Sequence, residues 1–112
     1  MEWTFHLPLR KIKKYLSRLR YFVQLSYFGK NYHGWQIQPN ATSVQESLNG
    51  TLSTICNEEV YVVGAGRTDK GVHAREMWAH FDVENPLPEN ILNRVNRFLS
   101  PDIAVQQFVQ VE

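Results

Sequence analysis

The sequence has a single cysteine, Cys56, among its 112 residues. One cysteine cannot form a disulfide within the chain, which excludes the class of small secreted domains that disulfides hold together. The sequence also has no apolar run long enough to cross a bilayer as a helix. A secretory signal does not fit, because the basic cluster near the N-terminus follows the apolar residues instead of preceding them. We therefore expect a cytoplasmic protein with no membrane contact.

The net charge is only +1, but it is unevenly distributed. Residues 1–20 hold six basic side chains against Glu2, which gives this segment a charge of +5 and leaves −4 for residues 21–112. RNA binding by the larger segment would therefore depend on a few locally placed cations or on further parts of the protein. The basic segment is typical of an RNA-binding arm, a targeting segment or a loosely ordered extension. We interpret residues 1–19 as a loosely ordered extension, because chain ends are usually poorly ordered.

The first part of the chain predicts a strand, a loop and a helix. Tyr21–Phe28 alternates two sets of side chains with a period of two and is rich in aromatic residues, as strands are. Residues 29–40 are dense in turn formers and indicate a loop. Ser43 and Glu46 have the spacing of a capping box, which predicts the start of a helix. Four apolar residues then form one stripe that faces a sheet: Val44, Leu48, Leu52 and Ile55.

The second part predicts three more strands and one more helix. The strands are expected at Val60–Val63, Met77–Val83 and Ile103–Val111. The helix has Pro88 in its first turn and stops before Pro101. The order is therefore β-α-β-β-α-β within one domain. It predicts an α+β fold of the ferredoxin-like kind, an antiparallel sheet with two helices on one face.

A glycine-rich segment, Gly64–Ala74, holds most of the residues that could carry chemistry. The dinucleotide-binding pattern needs a glycine where Asp69 stands. The P-loop pattern needs lysine and a hydroxyl residue after Gly71, where Val72 and His73 stand. An aspartate in the middle of such a segment would also repel a phosphate. Both phosphate-binding motifs are therefore excluded.

Arg67 and Asp69 stand between the glycines of this segment. Glycines let a backbone turn tightly and approach a ligand closely, and loops on a rigid sheet often carry function. The same residues also fit a tight turn with a local ion pair between Arg67 and Asp69. Composition and spacing leave both interpretations open.

Four segments resemble the tRNA pseudouridine synthase A (TruA) family. GAGRTDKGVHA, at Gly64–Ala74, is similar to the catalytic signature of that family. HGWQIQPN (33–40), SVQESL (43–48) and AHFD (79–82) match other family segments in the same order. The resemblance covers roughly residues 20–111, and several matched segments in order are more specific than one glycine motif.

The resemblance implies a role for individual residues. Asp69 matches the aspartate that acts as nucleophile when the C1′–N1 bond of uridine is cleaved and the base rejoined through C5. Arg67 matches the arginine that enters the RNA stem as the target nucleotide is extruded. Together with Lys70, Gly66 and Gly71, it is expected to bind the substrate. No metal or organic cofactor is implied. The remaining candidate ligands have no spacing typical of zinc sites: His33, His73, His80 and Cys56.

The resemblance also implies a substrate and a missing part. The expected reaction isomerises uridine at positions 38 to 40 in the anticodon stem-loop of tRNA, by an enzyme that is a homodimer when full length. Family members are roughly twice this length, so residues 20–112 correspond to the N-terminal, ferredoxin-like domain that carries the catalytic aspartate, without the C-terminal half. We expect the isolated chain to be inactive. The alternative is a non-catalytic ferredoxin-like module with an RNA-binding or structural role.

Overall fold

The computed structural model of the chain describes residues 18–28, 43–69 and 74–111. Six elements follow one another in these ranges. In chain order they are β1 (Leu19–Phe28), α1 (Val44–Cys56), β2 (Val63–Asp69), β3 (Ala74–Val83), α2 (Ile91–Phe98) and β4 (Ile103–Val111). The predicted order β-α-β-β-α-β and the α+β class are confirmed. Residues 1–17 of the predicted extension and the predicted loop at 29–40 lie outside the described residues.

The four strands form one sheet in the order β2-β3-β1-β4, and every neighbouring pair is antiparallel. β1 lies in the interior of the sheet and pairs with β3 over its full length. Its other side pairs with β4, with a register shift between Gln24 and Leu25. β2 and β4 are therefore the outer strands, and each has one sheet neighbour among the described residues. This confirms the predicted antiparallel sheet.

One face of the sheet carries the core, because alternate residues of a strand point to the same side. The strand residues of this core are Tyr21, Val23, Leu25, Tyr27, Met77, Ala79, Phe81, Val83, Ile103 and Val105. Apolar residues of both helices belong to the same buried cluster: Val44, Leu48, Leu52, Ile55 and Val95. The two helices thus cover one face of the sheet, as the apolar stripes predict. No described helix covers the other face, which we call the open face.

Helix α1 begins where the capping pattern places it. The Ser43 hydroxyl accepts a hydrogen bond from the backbone N–H of Glu46 at 3.1 Å, which satisfies one of the free donors at the helix start. The helix ends at Asn57, whose backbone is left-handed with a φ of 53°. Asparagine tolerates this conformation better than most residues, so it suits a helix C-terminus.

Helix α2 begins later than the sequence predicts. Pro88 is expected in its first turn, but the first helical residue is Ile91. Asn90 has a φ of 58°, and this left-handed turn residue lies between Pro88 and the first helical residue. The carbonyl of Asn90 accepts the first helical hydrogen bond, from the N–H of Arg94 at 2.9 Å. The predicted stop before Pro101 is confirmed.

The largest difference from the sequence prediction concerns β2. A strand is expected at Val60–Val63 with Arg67 and Asp69 in the loop behind it, but the strand runs over Val63–Asp69 and contains both residues. The glycines around Arg67 suggest a turn when only local preference is considered. Pairing with β3 overrides that preference, since it satisfies the backbone hydrogen-bonding groups of this segment. β3 is correspondingly longer than predicted and begins at Ala74.

Candidate active site

The two candidate catalytic residues, Arg67 and Asp69, have defined backbone positions in β2. Asp69 is the last residue of the strand. The register with β3 places Arg67 opposite Met77 and Asp69 opposite Arg75. Directly opposed residues of an antiparallel pair have their Cα atoms only about 4.5–5.5 Å apart. The strand pair therefore holds the backbone of Asp69 at the end of an outer strand, beside that of a basic residue.

Arg75 is a residue that sequence reasoning misses. The sequence names Arg67 as the cation near Asp69, but the register brings Arg75 directly opposite that aspartate. Its half-buried side chain adds a permanent positive charge to this end of the strand pair. Prediction of a hairpin that closes around residues 70–73 would have identified it, because such a hairpin pairs positions 69 and 75.

A register shift in β2 lies just before the two candidate residues. It falls between Gly64 and Gly66, and Gly66 stands opposite Trp78. An irregularity of this kind in an outer strand increases the local twist and changes the direction of the residues beyond it. Lys70 and Gly71 lie outside the described residues. The proposed substrate contacts of Gly66, Lys70 and Gly71 therefore stay predictions.

The open face of the sheet carries a row of polar side chains that reaches the strand pair of the site. The Gln107 amide donates to the Gln24 side-chain oxygen at 2.8 Å, and the Gln24 amide donates to Glu76 Oε1 at 3.2 Å. The row thus crosses β4, β1 and β3. Glu76 is the register partner of Thr68, the residue between the two candidates on β2. This face can therefore donate and accept hydrogen bonds close to the end of β2.

Aromatic side chains interrupt this polar surface. Trp78 and His80 on β3 are half-buried and lie on the face away from the core. The ring of Phe22 meets His80 edge-on, with the ring centroids 5.9 Å apart. A face of amides and aromatic rings suits contact with a partly polar and partly flat molecule.

An ion pair between β1 and β3 lies at the other end of the open face. Arg20 Nε and Nη2 donate to the two carboxylate oxygens of Asp82 at 2.8 and 3.1 Å. The hydrogen bond from Arg20 lowers the pKa of Asp82 below its ordinary value, and the positive charges of Arg20 and Arg18 act in the same direction. The same pairing raises the pKa of Arg20. Both partners are partly exposed, so the pair is accessible to solvent.

A cleft of about 340 Å³ lies beside this ion pair, away from the candidate residues. Its walls include Arg18, Tyr61 and His80, and Val63 at the start of β2. Asp69 stands at the opposite end of the same strand, about 20 Å away at roughly 3.3 Å per residue. Pocket and candidate aspartate are therefore separate features of this chain.

The thiol of Cys56 and the potential metal ligands are other described groups that could carry chemistry. Burial raises the pKa of Cys56, and the nearby Glu58 adds to the effect, so the thiol is a poor nucleophile at neutral pH. No group of three or more potential metal ligands lies together in the part of the chain that the structure describes, which includes His80 but not His33 and His73. Neither described helix has the length and apolar composition needed to span a bilayer.

Comparisons with known proteins identify relatives of the chain. No protein-family model matches it. The tRNA pseudouridine synthase A of Bacteroides thetaiotaomicron is 55% identical over 94 residues, which cover 83% of this chain and 35% of the relative. The enzyme of the same name from Parabacteroides distasonis is 50% identical over 94 residues, covering 82% of the chain and 37% of the relative. That of Geobacter sulfurreducens is 47% identical over 83 residues, covering 73% and 34%.

Identities of this size extend over most of the chain, and each of these relatives carries the same name. The chain spans little more than a third of their length. A match over 94 of 112 residues necessarily includes the strand pair of β2 and β3. The family predicted from the four sequence segments is therefore confirmed: the chain belongs to the tRNA pseudouridine synthase A family.

Proposed function

We propose that this chain supplies the nucleophilic carboxylate, Asp69, of an enzyme that converts uridine to pseudouridine in tRNA. The target is a uridine at positions 38 to 40 of the anticodon stem-loop. The observation that carries the proposal is the family membership, since relatives named for this modification match the region that contains Asp69. The position of this residue gives further support, because it ends a strand of a rigid sheet.

The reaction needs an ionised carboxylate and no other reagent. The carboxylate forms a transient bond to the sugar or the base, and the C1′–N1 bond between ribose and uracil breaks. The base turns, a bond forms between C1′ and C5, and the bond to the carboxylate breaks, which restores the aspartate. The hydrogen on C5 leaves as a proton and N1 takes up a proton, so the atoms balance without an oxidant, a metal or an organic cofactor. An ordinary aspartate has a pKa of about 3.9 and is charged at neutral pH, which suits Asp69 to nucleophilic attack.

Basic residues near Asp69 bind the RNA and position the target nucleotide. Arg67 takes the place of the extruded uridine in the stem and thereby lowers the cost of unstacking it. Lys70, with Gly66 and Gly71, contacts the backbone of the flipped nucleotide. Arg75, opposite Asp69 in the register, adds positive charge at the point where phosphates must approach.

The complete site requires residues beyond this chain. The chain spans 34–37% of the three relatives, so most of a matching enzyme is not represented in it. A site without its opposing wall cannot exclude water or hold uridine in a reactive pose. We propose that the isolated chain is inactive and that the complete enzyme is a homodimer that acts on tRNA in the cytoplasm.

A chimaera tests the proposal. The chain is joined to the remaining residues of the Bacteroides thetaiotaomicron relative, and the release of tritium from tRNA with C5-labelled uridine is measured. The chimaera is expected to release tritium, and its Asp69→Asn variant is expected to release none. Asparagine keeps the size of the side chain but removes the charge that attacks the sugar or base.

Each alternative result has a definite meaning. Robust tritium release by the Asp69→Asn chimaera would refute the role of Asp69 as nucleophile. Release by the 112-residue chain alone would refute the need for the additional residues. A chimaera that folds and binds tRNA without any release would favour the second function, a non-catalytic RNA-binding module.

A further inference from the structure

Three polar side chains of α1 hold the segment that leads into β2. The Gln45 amide donates to the carbonyl of Val62 at 2.7 Å, and the Asn49 side-chain oxygen accepts from the N–H of Val62 at 2.8 Å. One turn further on, the Ser53 hydroxyl accepts from the N–H of Val60 at 2.9 Å and donates to its carbonyl at 3.3 Å. The three residues are spaced by four, so they share one side of the helix. We call them the polar ladder: Gln45, Asn49 and Ser53.

The polar ladder replaces a sheet neighbour for this segment. Residues 60–62 precede the first residue of β2 and have no strand partner among the described residues. The backbone groups of Val60 and Val62 bond instead to side chains of the helix, and the side chains of both valines are buried. Gln45 itself is only 6% exposed. The bond from Gln45 is buried and the bonds of Asn49 and Ser53 are partly buried. A bond that is lost therefore leaves an unpaired backbone group that water reaches poorly.

The ladder matters for the site because of the place of β2 in the sheet. It is an outer strand with one neighbour, β3, among the described residues. Its register with β3 is interrupted between Gly64 and Gly66, before Asp69 is reached. The bonds to Val62 therefore fix the strand at its start, on the side of the register shift away from the aspartate.

We propose that Gln45 and Asn49 are positioning residues of the active site: by fixing the backbone of Val62 they set the position of β2 and hence of Asp69. This inference rests on the proposed role of Asp69 as nucleophile. Both side chains bond to the backbone of Val62, seven positions before Asp69. They act through the backbone of the strand, so their loss is expected to lower kcat and to leave the KM for tRNA almost unchanged.

The chain contains a matched control for this effect. Asn96 on α2 donates to the carbonyl of Val105 at 2.9 Å and accepts from its N–H at 2.8 Å. The same type of residue thus holds the backbone of β4, with two bonds where Asn49 makes one to Val62. β4 carries no candidate site residue. Asn96→Leu therefore removes at least as many backbone hydrogen bonds as Asn49→Leu, but only Asn49→Leu affects the strand of Asp69.

Hydrogen exchange of the 112-residue chain tests the structural step. In Asn49→Leu, the amides of Val62 and of β2 are expected to exchange about 10-fold faster than in the unsubstituted chain, as the loss of a buried hydrogen bond allows. In Asn96→Leu, the faster exchange is expected in β4 instead. Equal exchange rates of β2 in the two variants would overturn the proposal.

Kinetics of the chimaera test the functional step. Asn49→Leu is expected to lower kcat about 10- to 100-fold with the KM for tRNA within about two-fold. Asn49→Asp keeps an oxygen that accepts from Val62 and is expected to restore most of the rate. Asn96→Leu is expected to keep the original kcat. Gln45→Met, which has a similar length without the amide donor, is the second variant if Asn49→Leu does not fold.

The two proposals fail in different ways. If Asp69→Asn abolishes tritium release while Asn49→Leu and Asn96→Leu have the same kcat, the positioning role is wrong and the nucleophile stands. If Asp69→Asn retains activity, the nucleophile is wrong, and a fall in kcat with Asn49→Leu can no longer be ascribed to this aspartate. A rise in KM with unchanged kcat in Asn49→Leu would also contradict a positioning role.

Discussion

Phe81 joins three strands within the core, so its truncation is expected to be among the most costly changes in the chain. The side chain is 1% exposed. Its ring stacks against Tyr21 of β1 with centroids 5.9 Å apart and meets Phe108 of β4 edge-on at 6.0 Å. Replacement by alanine therefore removes the burial of an apolar ring and two aromatic contacts, and it leaves a cavity where the ring was packed.

The size of the effect follows from these contacts. Burial of a phenylalanine side chain contributes about 1.5–3 kcal/mol, and aromatic pairing adds about 0.5–1.5 kcal/mol. The cavity brings the total to about 3–5 kcal/mol, the usual range for such truncations. Phe81→Ala should lower the free energy of unfolding by this amount. With an m-value of about 2 kcal/mol per M, the urea midpoint of the 112-residue chain should fall by about 2 M.

Phe28→Ala is the control, because this phenylalanine is 52% exposed at the end of β1. Its loss should change the free energy of unfolding by no more than about 0.5 kcal/mol. Both variants are unfolded in urea and followed by far-UV circular dichroism and tryptophan fluorescence. Equal shifts of the urea midpoint for the two substitutions would refute the view that Phe81 joins the strands of the core.

Two further changes test the helix and the ion pair. Gly50→Ala should raise the free energy of unfolding by about 0.5–1 kcal/mol, because glycine weakens a helix and a Cβ at this position would meet nothing within 4 Å. Thermal melting measures the effect, and a lower melting temperature would contradict the prediction. Arg20 lowers the pKa of Asp82 in the folded chain below the ordinary aspartate pKa of about 3.9. The ion pair should therefore stabilise the fold at a pH above about 3.9 and lose this effect as the pH falls through the pKa of Asp82 in the folded chain. The stability difference between the unsubstituted chain and Asp82→Asn should therefore be largest near pH 7 and shrink towards pH 2.5; a difference independent of pH would show that the charge is not its cause.

Elements with strong local signals could be predicted from the sequence. The start of α1 is marked by Ser43, whose side chain bonds to the helix as the capping pattern predicts. β4 occupies the predicted residues, Ile103–Val111, because an alternating apolar segment after Pro101 has few other ways to bury its side chains. The start of α2 could not be predicted in the same way. It depends on the left-handed backbone of Asn90, which the sequence around Pro88 does not distinguish from a first helical turn.

The strand of the candidate site shows where local patterns fail. Val60 and Val62 alternate like strand residues and are buried, but their backbone groups bond to side chains of α1 that lie 7 to 17 positions earlier in the chain. The glycines after Val63 favour a loop, and a neighbouring strand turns them into the outer strand of a sheet. In both cases the deciding partner is distant in sequence. A prediction made from a few neighbouring residues therefore does not include this partner.

The candidate aspartate could therefore be identified by resemblance to a family, whereas the residues around it depend on how the strands pair. Asp69 could be selected from the sequence because four segments resemble one family in the same order. Arg75 could be found only by also predicting how β2 pairs with β3, and that register shifts between Gly64 and Gly66. Without the shift, residue 69 would face a different residue of β3. The pairing of Asp69 on the outer strand with Arg75 on the inner strand β3 is thus fixed by the strand pair and not by the residues next to Asp69. Holding β2 in place against β3 is the role that we propose for the polar ladder.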